Sequence, residues 1–284
     1  MNQLTLQSPA KLNLMLHITG QRDDGYHLLQ TVFQFIGLYD EMQFHVTDNG
    51  IRRIGGNESI APEDDLIIRA ARLLQPYQKT PQGVDIQINK QIPMGGGLGG
   101  GSSNAATTLM ALNRLWNLQL TNPQLQKIGL QLGADVPIFI FGQNAWAEGV
   151  GEQLQAVDLA QNWYLVINPQ IFVSTGQIFS SKYLTRDCHP ITIRAFLEGS
   201  GENVCQNVAC ELYPEIQKAL DWLNEFSPAR MTGTGACIFA EFDSAKKANA
   251  VKSRIPAQWT GYVAQGLKAN PVTEVCFKAD NTET

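Results

Sequence analysis

Apolar and polar positions alternate most regularly at the start of the chain. Leu4, Leu6, Ala10, Leu12, Leu14, Leu16 and Ile18 hold even positions, and the odd positions are polar apart from Pro9 and Met15. A period of two predicts a strand with one buried and one open face, and puts Lys11, Asn13 and His17 on the open one. Pro9, which lacks an amide hydrogen, predicts an edge position or a break in pairing. Further strands are predicted over 29–38, 41–47 and 84–92. Helical spacing appears at 65–75 and at 103–118, through Ala105, Leu109, Leu112 and Trp116. Asn122-Pro123 reads as an N-cap with proline at the first helical position, in a helix closed by Gly133. Beyond about residue 160 the pattern restarts, with a strand at 163–167, a helix at 175–184 and two helices over 202–226 divided at Pro214. A strand at 237–242, a polar helix at 244–254 and a strand near 259–267 complete it. Strands and helices mixed without regular βαβ alternation predict an α+β chain in two domains, 1–157 and 158–284.

Composition narrows the class. The 284 residues are 44% hydrophobic and 17% charged, which fits a globular protein able to bury a core without staples. The formal charge is −5 and no three basic residues run together, so a nucleic-acid face is not expected. Apolar runs such as 136–141 fall far short of a membrane span, and no secretory signal is visible, so a cytoplasmic location is expected. Cys188, Cys205, Cys210, Cys237 and Cys276 make an odd count without metal spacing and read as reduced thiols.

Candidate chemistry centres on Pro93-Met94-Gly95-Gly96-Gly97-Leu98-Gly99-Gly100-Gly101-Ser102-Ser103, which leaves a strand and feeds a helix. Free amides at a helix start, with the helix dipole behind them, form an anion site suited to phosphate, and the serine hydroxyls add donors. As a plain linker, six glycines in seven positions would be extravagant. A dinucleotide fold wants an acidic residue about 20 positions on, yet Gly101 to Ala134 contains no Asp or Glu. A P-loop wants a lysine after the glycines, and none follows.

The loop, with SPAKLNL at 8–14, GQRDDGYHLLQT at 20–31, LGADVP at 132–137, AEGVGE at 147–152 and TGTGACIFAEF at 232–242, resembles a known kinase group. This is the superfamily of galactokinase, homoserine kinase and mevalonate kinase. Within it the chain is similar to the 4-diphosphocytidyl-2-C-methyl-D-erythritol kinases of the non-mevalonate isoprenoid route. The resemblance implies the superfamily's two-domain α+β fold and transfer of phosphate from ATP, with Mg²⁺, to the 2-hydroxyl of a small alcohol carrying a cytidine diphosphate group. It implies Asp135 as the base that takes the alcohol proton and Lys11 as the charge that favours the alkoxide. On composition alone, Lys11 reads as a solvated strand charge and Asp135 as a helix cap.

The resemblance further implies that residues 93–103 hold the nucleotide. Tyr26 and Phe179 would sandwich the cytosine, His27 would bond its edge, and Asn13, Val150 and Thr175 would line the rest of the substrate. Thr232-Gly-Thr-Gly235 would buttress the phosphate site, or be a simple turn. Related kinases supply a metal-binding glutamate between the loop and the catalytic aspartate; this chain has none, so the metal ligands stay open, Ser102 or Ser103 being candidates. No functional residue is carried over within 185–230. Two alternatives stand beside this reading: a sister kinase for homoserine, a sugar or mevalonate, and a catalytically silent ligand-binding relative.

Overall fold

The computed structural model describes residues 2–48, 50–56 and 60–277. Its frame is a long antiparallel hairpin of β1 (Gln3–Gln21) and β2 (His27–Thr47). The segments 29–38 and 41–47 are therefore one strand. No turn-forming pair separates them, and Tyr39 and Asp40 pair with Pro9 and Ser8 of β1. What changes midway is the partner on the second edge of β2. There β4 (Gly83–Asn89) pairs with 41–47 and β5 (Ala145–Glu148) with 31–33. β3 (Ile51–Gly55) runs parallel to β4 at one end, and β6 (Gln153–Ala156) closes the other.

Among the described strands β1 pairs with β2 alone, apart from an isolated bridge from Leu16 to Asn203, and its register shifts after Pro9, as a proline on a sheet edge predicts. A second shift, between Asn13 and Met15, leaves Leu14 as an extra residue. Because side chains alternate with period two, one extra residue turns all that follow to the other face. Lys11 and Asn13 pair with Phe35 and Phe33, whereas His17 pairs with Gln30 and so points the opposite way. The single open face expected from the alternation is thus two half-faces, and both are covered. Lys11, Asn13 and His17 are all buried.

Helices α1 (Leu66–Leu74), α2 (Gly100–Leu115), α3 (Asn122–Leu130) and α4 (Val136–Phe141) build one core with this sheet. α2 begins earlier than its spacing suggested, taking the last two glycines of the loop as its first residues. Thr121, rather than Asn122, caps α3, with Gln124 Oε1 accepting its backbone N–H at 2.8 Å. The second sheet has the order β10 (Thr260–Gln265), β7 (Trp163–Asn168), β9 (Ile238–Phe242), β8 (Ala229–Met231), all antiparallel. Short helices α5 (Thr175–Ser180) and α6 (Ile193–Leu197) precede α7 (Cys205–Leu212) and α8 (Pro214–Asn224), the pair divided at Pro214. α7, α8 and α9 (Ala245–Lys252) pack with the second sheet. A third cluster joins the sheets: Ala10, Leu12 and Ile36 meet Tyr164, Val166 and Phe239, with Leu98 of the glycine loop among them. α10 (Pro271–Phe277) returns to the first core through Val272.

Candidate functional site

The glycine loop lies between two cavities and lines both. One, of about 410 Å³, runs from residues 93–102 to Lys90, Asp65, Leu66 and Ile60. The other, of about 600 Å³, takes in Lys11, Asn13, Asp135, Val150, Thr175 and Phe179. Gly95, Gly97, Gly99 and Ser102 belong to both, so two ligands bound there would meet across this backbone.

Local rules explain the loop's shape. Gly99 caps α2 in the left-handed region, at φ +71°, and a Cβ there would meet the ring of Phe139 and Lys11 Cε. The amides that open the sixteen-residue α2 have no intrahelical acceptor. Behind them lies a buried polar network. Ser103 donates to Pro9 O at 2.6 Å and lies 2.7 Å from Ser8 Oγ. Asn104 bonds Asp40 and Ser8, Lys90 bonds Asp40, and Asp40 accepts the amides of Gln91 and Ile92. This network corrects one expectation: the Ser103 hydroxyl is fully buried and engaged, so of the two loop serines only Ser102 lines the cavities.

Lys11 is 2% exposed, and its three ammonium protons have three acceptors. Nζ donates to Asn13 Oδ1 at 2.6 Å and to Gly97 O at 2.9 Å, and lies 3.2 Å from Asp135 Oδ2. The Phe33 ring closes the fourth side, 5.5 Å from Nζ to its centroid. Asn13 is held in turn, its Nδ2 donating to Thr31 Oγ1 and its backbone N–H to Thr232 Oγ1, each at 2.9 Å. Asp135 does stand at the cap position of α4, but its side chain makes no capping bond. It is turned to Lys11 instead and remains 38% exposed, on the wall of the larger cavity. A half-solvated carboxylate beside a buried ammonium can accept a proton from a hydroxyl in that cavity while the ammonium favours the anion formed.

Thr232-Gly-Thr-Gly235 is more than a turn. Thr232 O lies where a Gly97 side chain would be, Thr232 Oγ1 holds Asn13, and Cys237 N–H donates to Gly96 O at 3.2 Å. Val150 sits in a turn whose amide donates to Glu152 Oε2 at 2.6 Å. Thr175 Oγ1 lies 3.0 Å from Thr234 Oγ1, across the mouth.

The three residues expected around a base are not all together. His27 stacks on Phe179, with centroids 5.0 Å apart and planes at 24°. Tyr26 lies at the tip of the β1–β2 hairpin, 62% exposed and outside both cavities. His17, on the reversed half of β1, also lines neither cavity; its Nε2 accepts Glu202 N–H at 3.3 Å. Sequence reasoning passed over Arg186, within a stretch from which no functional residue was carried over. Its Nε donates to His27 Nε2 at 3.2 Å. Burial, and then the Arg186 charge, hold the His27 imidazole below its usual value. Leu16 and Leu29 were also passed over as apolar lining; the bulge at Leu14 brings Leu16 to the Lys11 side.

Among the described residues no three His, Cys, Asp or Glu side chains gather to hold a metal ion, and no helix is long and apolar enough to cross a membrane.

Comparison with known proteins adds the relatives of this arrangement. Residues 65–143 match the GHMP kinases N terminal domain, and residues 190–261 the GHMP kinases C terminal domain. The 4-diphosphocytidyl-2-C-methyl-D-erythritol kinase of Nitrosococcus oceani is 55% identical, over 91% of this chain and 93% of its own. That of Hahella chejuensis is 53% identical, over 95% of each. A crystal structure of 4-(cytidine 5'-diphospho)-2C-methyl-D-erythritol kinase superposes with a TM-score of 0.81 at 29% identity, covering 93% of this chain and 99% of that one. A homoserine kinase from Cytophaga hutchinsonii shares the fold at a TM-score of 0.64 and 15% identity, over 95% of this chain and 96% of its own.

Proposed function

The chain belongs to the 4-diphosphocytidyl-2-C-methyl-D-erythritol kinases, within the GHMP kinases, and we propose that Lys11 and Asp135 carry its phosphoryl transfer to the 2-hydroxyl of that alcohol. It is an ATP-dependent phosphotransferase of isoprenoid precursor synthesis, with a cytidine-bearing small molecule as its acceptor. A sister kinase or a silent relative is not favoured.

The observation that carries the mechanism is the Lys11–Asp135 contact on the wall of the larger cavity, beside the glycine loop. ATP enters the smaller cavity, its phosphates against the α2 amides and residues 93–102. The alcohol enters the larger one, near Asn13, Val150 and Thr175. Asp135 accepts the hydroxyl proton, Lys11 stabilises the alkoxide, and the oxygen attacks the γ-phosphorus in line as the bond to ADP breaks. Ser102 would offer one hard oxygen to a magnesium ion otherwise held by phosphate and water, which suits a site with no carboxylate cluster among the described residues. Such an ion would neutralise phosphate charge. We place the boundary between the two domains near 157, with α10 crossing back, and the protein in the cytoplasm, where its five unpaired cysteines would stay reduced.

A coupled ADP-release assay tests the assignment, using the erythritol alcohol with and without its cytidine diphosphate group. Turnover is expected only with the group attached. Equal turnover of homoserine or mevalonate would overturn it.

Base recognition gives a separate expectation. Tyr26→Ala, at an exposed position, is expected to leave Tm within a degree or two yet weaken substrate binding by roughly 1–3 kcal/mol, the worth of one stacked face. His27→Ala is expected to blur CMP against UMP in competition binding, because a hydrogen-bonding site rejects a mismatched edge through unpaired groups. Wild-type protein holding both nucleotides equally would remove the cytosine pocket and leave the kinase chemistry standing.

A further inference from the structure

Arg186 spends its whole guanidinium on one small region. Nη2 donates to Phe179 O and to Ser181 O, both at 2.8 Å, and Nη1 donates to Leu184 O at 3.1 Å. Nε donates to His27 Nε2 at 3.2 Å. No carboxylate is among these partners, so the fork is satisfied by carbonyls at the end of α5 and in the turn that follows it, and by one imidazole. A lysine in its place would keep the charge but could not span four acceptors in this planar pattern.

The direction of the His27 bond fixes the chemistry of the ring. A guanidinium is always a donor, so the nitrogen that accepts from it carries no proton. A neutral His27 then bears its proton on Nδ1, which has no partner among the described residues. The same arginine holds the backbone of Phe179, the ring on which His27 stacks and which lines the larger cavity. One side chain thus sets the position of both rings and the tautomer of one.

We propose that Arg186 is a specificity-determining positioning residue: it locks His27 as the Nδ1–H tautomer against Phe179, leaving that one proton for an acceptor on the substrate's base. This rests on the cytidine-pocket reading above. A pyrimidine whose edge presents an acceptor to Nδ1–H is bound; an imidazolium would repel Arg186 and lose both the lock and the stack. The charged group that acts on the ring is Arg186 itself, since Arg22 and Asp24 of the neighbouring turn pair with each other at 2.7 Å.

The test uses the full-length protein, labelled with ¹⁵N, and CMP as the probe. Wild-type His27 is expected to show the Nδ1–H tautomer in long-range ¹H–¹⁵N spectra. Arg186→Gln is expected to raise the His27 pKa and weaken CMP roughly ten- to hundredfold, the range for one lost charge-assisted hydrogen bond, with ATP affinity unchanged. Arg186→Lys is expected to recover only part of the CMP affinity, and serves if the glutamine variant does not fold. An Nε2–H tautomer in the wild type, or unchanged His27 titration and CMP affinity in both variants, would overturn the proposal. Wild-type protein that fails to bind CMP would overturn the base pocket instead, while the tautomer and titration still decide whether Arg186 holds His27.

Discussion

Asp135→Asn is expected to lower kcat roughly 10²–10⁴-fold, the usual scale for a lost general base, while fold and nucleotide binding survive. The amide has nearly the shape of the carboxylate, and Asp135 makes no capping bond that its replacement would forfeit. Its carboxyl is 38% exposed, so water screens part of its contact with the buried Lys11, and the amide oxygen of the replacement can still accept from Nζ. Lys11 also keeps its other two acceptors, Asn13 Oδ1 and Gly97 O, and so keeps its place. Only proton acceptance is removed. Single-turnover ADP release, with a thermal melt as control, checks this. A variant retaining more than about a third of wild-type kcat would take Asp135 out of the mechanism.

Why the sequence alone pointed so near this site, and where it went astray, has a local physical cause in each case. The glycine run between a strand and a helix could be read from chemistry, because few other residues tolerate that backbone and few ligands require it. Lys11 and Asp135 could not be joined that way. They are 124 positions apart, and each has an ordinary role by its local pattern; only the assembled motifs drew them together. The β1 alternation was right in type and wrong in face, because one bulge residue, Leu14, reverses the strand without disturbing its apolar count. Asp40 falls between two predicted strands yet is fully buried, its carboxylate used by Lys90, Asn104 and two backbone amides. No window of sequence shows such partners. Short elements fixed by tertiary contact, such as β3, α4, the β5–β6 pair, α6, β8 and α10, were passed over for the same reason. Arg186 is the functional counterpart of that failure. Its meaning lies in His27, 159 residues earlier in the chain, and in carbonyls that no side-chain pattern reveals.

Gly97→Val is expected to abolish both nucleotide binding and turnover. Sequence reasoning alone would have the nucleotide lost first and the alcohol site spared, since the loop reads there as an ATP element. The geometry removes that separation. Gly97 lines both cavities, and its carbonyl is one of the three acceptors of Lys11. Its φ is +75°, which a β-branched residue adopts only at a cost of roughly 1–3 kcal/mol. A Cβ there would fall closer than 3.0 Å to Thr232 O and 3.2 Å from Gly235 O, both backbone atoms of the segment that holds Asn13. Neither can rotate away as a side chain would, so the loop itself must move. A displacement near 1 Å is enough to cost about 10²-fold in rate, and here it would shift the phosphate cradle and the Lys11 anchor together. Gly101→Ala is the matched control: the position is helical, and its Cβ would meet only Leu66 Cδ1 at an ordinary 3.5 Å. That variant is expected to keep wild-type ATP affinity and kcat within about threefold, with a small gain in Tm. ATP titration and ADP release on both variants decide the matter. Unchanged nucleotide affinity in Gly97→Val would mean that the loop does not cradle the phosphates, and equal damage in Gly101→Ala would mean that glycine content, rather than this contact with Thr232, is what the site requires.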